Sequence, residues 1–146
     1  MPGRDGVSTG TGLGVAALLV STVAVVISAR GTRRGALLTV VTTLMADWGS
    51  PRVAAAKRRV SLAGEFTGGL ADLPEPLQDD VVAVMEYLDR VGFLLRWRLV
   101  PRGPVRAFLG EPAAYFWRRL APIVEAERER RPERQYRADF EWLATS

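Results

Sequence analysis

From Val7 to Ala29 the chain carries no charged residue, and Leu13 to Ala29 holds nine Leu, Ile or Val residues. A helix rises ~1.5 Å per residue, so about 20 residues cross a ~30 Å hydrocarbon core. The 23 residues of 7–29 therefore predict a transmembrane helix. Its flanks orient it. Arg4 stands beside Asp5 on one side, whereas Arg30, Arg33 and Arg34 follow closely on the other. The positive-inside rule places 1–6 outside, 30–34 as a basic junction against anionic lipid, and 35–146 in the cytoplasm. The expected location is the inner (plasma) membrane, as a single-pass protein. A cleaved signal peptide fits less well, because Ile27 breaks the small-x-small pattern before Ala29 and the arginines downstream oppose export.

Within this stretch Gly10, Gly14, Ala17, Ser21, Ala24 and Ser28 recur at spacings of three and four, placing small residues along one helical face. Such faces let membrane helices approach closely, so a homo-oligomer through this stripe is expected.

Beyond the junction the apolar positions keep the helical period. Leu37, Val41, Leu44, Met45 and Trp48 share a face and predict a helix over 35–48. Ser50-Pro51 reads as the start of the next helix, with Ser50 as cap and Pro51 in the first turn, and Val53, Ala56, Val60 and Ala63 on its inner side. Residues 64–76, with Gly68, Gly69, Pro74 and Pro76, read as a loop.

Leu77, Val81, Val84, Met85, Leu88, Val91 and Leu95 then form the clearest stripe in the chain, with Gly92 either ending that helix or carried inside it. A turn at Leu99-Val100-Pro101 leads to a short helix over 103–109, stopped by Gly110. A longer helix starts at Pro112, buries Ala113, Phe116, Trp117, Leu120 and Val124, and kinks or restarts at Pro122. Tyr136, Phe140 and Leu143 make a last apolar edge. No stretch alternates as a strand does. The expected fold is all-α: one transmembrane helix followed by a small domain of about five helices.

Charge is blocked along the chain. Seven basic residues face only Asp47 between Arg30 and Val60, seven acids and no base follow in 61–89, and seven arginines face only Glu111 in 90–119. Nineteen of the twenty basic residues are arginine, a bias that together with abundant Ala, Gly and Val reflects a GC-rich coding genome first. Asp79 and Asp80 read as carboxylates in the first turn of their helix rather than as a metal pair, and Glu86 and Arg90 as an i, i+4 ion pair. Lys57, Arg58 and Arg59 read equally as a lipid contact or a solvated face.

The chain has no cysteine and no histidine, which removes thiol chemistry, the usual zinc ligands and the commonest general base. Catalysis is not expected, and neither a metal nor a cofactor is called for. The basic segment 90–119 interleaves with aromatics. Arg96, Trp97 and Arg98 lie between predicted elements, so with Arg102 and Arg106 they form the candidate contact surface for a partner or for nucleic acid.

The residues Leu44-Met45, Ser50-Pro51, Val84-Met85-Glu86-Tyr87-Leu88-Asp89-Arg90-Val91-Gly92-Phe93-Leu94, Leu99-Val100, Phe108-Leu109-Gly110 and Tyr115-Phe116-Trp117-Arg118-Arg119-Leu120-Ala121-Pro122-Ile123 carry a resemblance. In this order they resemble a family of small bacterial proteins with one N-terminal membrane helix and a helical domain of unknown function. The resemblance implies architecture and anchorage, and no catalytic residue. The expected role is a membrane-anchored interaction module whose partners are the lipid bilayer, a second copy or another protein. The alternative is a membrane-tethered nucleic-acid-binding module using the 90–119 segment.

Overall fold

The computed structural model describes residues 35–132 and 135–146. The predicted membrane span, its small-residue face at Gly10, Gly14, Ala17, Ser21, Ala24 and Ser28, and the junction arginines Arg30, Arg33 and Arg34 lie outside them. Residues 40–146 form one compact unit, distinct from 1–39, and all described core residues belong to it. Among the described residues every regular element is helical: α1 over 35–49, α2 Pro51–Leu62, α3 Glu75–Arg96, α4 Arg102–Arg130 and α5 Ala138–Thr145. None of them is long and apolar enough to cross a membrane.

The break between α1 and α2 forms as the sequence predicts. Ser50 Oγ accepts from Val53 N–H at 3.4 Å, and Pro51 occupies the first turn, where its missing donor costs nothing. Val41, Leu44 and Trp48 of α1 are buried, as are Ala56 and Val60 of α2, whereas Ala63 is an exposed C-cap. Trp48 is the hub of this corner. Its ring lies 5.0 Å from Tyr87 of α3 and 6.0 Å, edge-on, from Phe116 of α4. Its carbonyl accepts from Lys57 Nζ at 2.7 Å, and the same ammonium sits 3.8 Å from its ring centroid. Tyr87 donates its hydroxyl proton to the Leu44 carbonyl.

The α3 stripe buries as read except at Leu77, which is only partly buried: Val81, Val84, Met85, Leu88, Val91 and Leu95 are at most 1% exposed. Each such side chain stabilises the fold by about 1.5–3 kcal/mol. The helix begins earlier than expected, at Glu75 with Pro76 in its first turn, and runs through Gly92 to Arg96. Asp79 and Asp80 therefore lie beyond its first turn. Asp80 is buried and held by Arg59 of α2 through both carboxylate oxygens, so it joins two helices rather than serving the helix dipole. Glu86 lies 3.5 Å from Arg137, and no ion pair with Arg90 forms.

The largest departure is α4. Where the sequence predicts a short helix, a stop at Gly110 and a restart, one helix of 29 residues runs through Gly110, Pro112 and Pro122. A proline inside a helix removes the bond to the carbonyl four residues earlier. Those carbonyls belong to Phe108 and Arg118, both on the exposed side. Leu109, Ala113, Phe116, Leu120, Ile123 and Val124 bury along the opposite side and hold the helix together.

The loop before α3 is pinned as well. Leu70–Asp72 forms a single 3-10 turn, Phe66 is buried, and Leu70 N–H donates to the buried carboxylate of Glu127 at 3.0 Å. Arg130 at 3.6 Å and Arg131 at 3.3 Å from Glu127 balance its charge.

The last helix, α5, packs on both α3 and α4. Phe140 is fully buried, edge-on to Trp117 at 5.1 Å, and its N–H donates to Asp89 Oδ1 at 3.0 Å.

Candidate functional site: the corner between α3 and α4

The end of α3 is built by the backbone. Leu99 N–H donates to Leu94 carbonyl at 2.9 Å and Arg98 N–H to Leu95 carbonyl at 3.1 Å, the paired bonds that close a helix through one left-handed residue. That residue is Arg98, with φ 57°, at a position where glycine is the usual choice. The turn carries Trp97 and Leu99 outward, 64% and 52% exposed, and Phe93 one turn earlier is 45% exposed. Phe93 and Trp97 rings lie 6.3 Å apart at 47°.

The arginines around this corner are not equivalent. Arg96 is paired with Asp139 of α5 at 3.0 Å. Arg102 donates to the Leu95 and Arg96 carbonyls at 3.0 and 3.3 Å, satisfying acceptors that the end of α3 leaves open, and its guanidinium lies 5.4 Å from the Trp142 ring. Arg98 and Arg106 are exposed, and neither makes an ion pair among the described residues.

The same use of basic side chains recurs elsewhere. Lys57 closes the end of α1, and Arg119 donates to the carbonyls of Val60, Ser61 and Gly64 at the end of α2, at 3.3, 3.2 and 2.6 Å. A cation at a helix C-terminus meets both open carbonyls and the negative end of the dipole. Lys57, Arg102 and Arg119 thus each hold a helix end, a role the charge blocks do not reveal. Of Lys57, Arg58 and Arg59, two are engaged internally and Arg58 is exposed.

The five residues singled out by sequence therefore divide. Trp97, Arg98 and Arg106 present themselves outward, whereas Arg96 and Arg102 serve the fold. Phe93 and Leu99 join this surface although the sequence singles out neither as a contact: Phe93 is one of several aromatics interleaved with the arginines, and Leu99 reads as part of a packed turn with Val100 and Pro101. The exposure of Leu99 follows from the left-handed turn at Arg98, which no apolar periodicity encodes, whereas that of Phe93 follows from its place off the buried stripe of α3.

Among the described residues no three of His, Cys, Asp and Glu gather to hold a metal ion. A concave region elsewhere is lined by Asp47, Ser50, Arg52, Glu86, Tyr87 and Arg90, where both signs of charge meet. Burial, with Asp47 next and Arg90 opposing, pushes the Tyr87 hydroxyl up to about 12, so it stays a donor rather than a base.

Comparison of the chain with protein-family profiles, characterised proteins and solved structures finds no match.

Proposed function

We propose that the chain is a membrane-anchored helical interaction module, held by 7–29 at the inner membrane with 35–146 on the cytoplasmic side. The observation that carries this reading is the α3–α4 corner. Leu38, Val40, Leu62, Phe108 and Tyr115 are exposed singly elsewhere, but at this corner Phe93, Trp97 and Leu99 are exposed together around Arg98, which makes no ion pair among the described residues. Exposed aromatic residues beside arginine are the composition of contact surfaces. The anchor draws its support from the uncharged 23-residue stretch and from Arg30, Arg33 and Arg34 behind it.

The nucleic-acid reading draws less support. Of the seven arginines in 90–119, Arg96, Arg102 and Arg119 are engaged on carbonyls and a carboxylate, which leaves fewer for a run of phosphate contacts. No catalytic role is proposed.

Reporter fusions at each terminus test the topology. A C-terminal fusion active only in the cytoplasm, on a chain that stays in the membrane fraction after alkaline carbonate, is the expected result. An exported C-terminus, or release by carbonate, overturns the anchor.

A further inference from the structure

We infer that the α3–α4 corner is a second membrane contact: Phe93, Trp97 and Leu99 enter the headgroup region of the cytoplasmic leaflet while Arg98 and Arg106 meet its anionic phosphates. The inference rests on the anchored reading above.

Three observations select this occupant. First, the side chains are the right kind. Tryptophan prefers the membrane–water interface, where its ring is buried and its N–H stays wet, and Leu99 and Phe93 supply apolar area beside it. Second, the free charge is positive. Asp139 of α5 is paired with Arg96 at the end of α3, while Arg98 and Arg106 make no ion pair among the described residues. Third, the uncharged stretch 7–29 lies in the same chain. Anchored by it, the domain meets the bilayer at an effective concentration of about millimolar, so a contact too weak to hold a free domain forms readily.

A single-stranded nucleic acid fits the corner less well. Stacking needs open ring faces along a basic groove. Here the Phe93 and Trp97 rings are tilted at 47° to each other and the third apolar residue is the aliphatic Leu99, so the corner offers no run of parallel ring faces.

The test uses the full chain reconstituted into phosphatidylcholine vesicles, with or without phosphatidylglycerol, whose acyl chains carry bromine. Trp48 is buried, Trp117 and Trp142 are half-buried, and Trp97→Phe subtracts the exposed ring from the signal. Bromolipid quenching of Trp97, stronger with phosphatidylglycerol and reduced about fivefold in partitioning by Arg98→Gln, is the expected outcome. Leu99→Ser lowers it independently, and circular dichroism checks that each variant folds.

Flotation of the vesicles after alkaline carbonate reads the anchor separately. A chain that floats while Trp97 remains open to aqueous acrylamide and untouched by bromolipid overturns the corner contact alone. A chain that does not float overturns the anchor and the corner contact with it. Displacement of the quenching by a single-stranded RNA, or cross-linking of Trp97 to a second copy in its place, assigns the corner to that partner and overturns the lipid.

Discussion

Gly92 of α3 lies directly under the backbone of Asp139 in α5: a Cβ built on it would stand 2.6 Å from the Asp139 carbonyl carbon. The obstacle is main chain, which cannot swing away as a side-chain tip can. Gly92→Ala gains about 1 kcal/mol of helix propensity and loses about 1–3 kcal/mol to overpacking. The expected net effect is a lower denaturation midpoint by circular dichroism, with α5 detaching first in hydrogen exchange. An unchanged midpoint would show that α5 can retreat.

That glycine also marks the limit of what the sequence discloses. The apolar stripe of α3 is legible because its period matches a helix, but whether Gly92 ends the helix depends on a second helix 47 positions later in the chain. The α1–α2 break is legible because Ser50-Pro51 is a local signal. The continuity of α4 is not, since Gly110, Pro112 and Pro122 each argue for interruption and are overridden by burial on the far side of the helix. Partners distant in sequence are likewise invisible. Nothing near Asp80 names Arg59, and nothing near Glu86 prefers Arg137 to the closer Arg90. The candidate site shows the same divide: Trp97 and Arg98 stand out by composition, while the engagement of Arg96 and Arg102 depends on where α3 ends.

The Arg59–Asp80 bridge is asymmetric, with the arginine side chain 59% exposed and the aspartate 8%. Losing Asp80 returns Arg59 to water, whereas losing Arg59 leaves a carboxylate buried without its partner. Arg59→Ala should therefore lower the thermal midpoint more than Asp80→Ala, and the double variant should fall no further than Arg59→Ala. Equal single effects would mean that water replaces the guanidinium at Asp80.

Alkaline pH should weaken the fold through Tyr87. Its folded value, pushed up to about 12, lies above the ordinary value near 10. The contribution is fully present below pH ~10 and is lost as pH rises towards ~12, because the unfolded chain ionises first. A loss on the order of 1–2 kcal/mol is expected for this partly solvated hydroxyl. Tyr87→Phe removes the hydrogen bond to Leu44, costing about 1 kcal/mol at neutral pH, and should flatten the decline above pH ~10. Lys57, lowered by burial, acts in the opposite sense but is common to both proteins, so urea midpoints compared across this range isolate Tyr87. A decline of equal slope in both proteins would remove Tyr87 as its cause.

Arg98 and Arg137 share a left-handed backbone, φ 57° and 58°, yet glycine should act oppositely at the two positions. The conformation costs a non-glycine residue about 1–2 kcal/mol, and Arg98→Gly recovers part of it because its exposed side chain makes no ion pair to lose. The Arg137 side chain is 13% exposed and lies 3.5 Å from Glu86 and 3.7 Å from Asp89, the carboxylate that also receives Phe140 N–H. Arg137→Gly gains the same backbone relief but strips two carboxylates of their cation at the entry to α5, and net destabilisation follows. Thermal midpoints should rise for the first variant and fall for the second. A fall for Arg98→Gly would show that its side chain stabilises the corner. A rise, combined with loss of bromolipid quenching at Trp97, would mean that arginine is kept there against the fold's own preference and for the surface it meets.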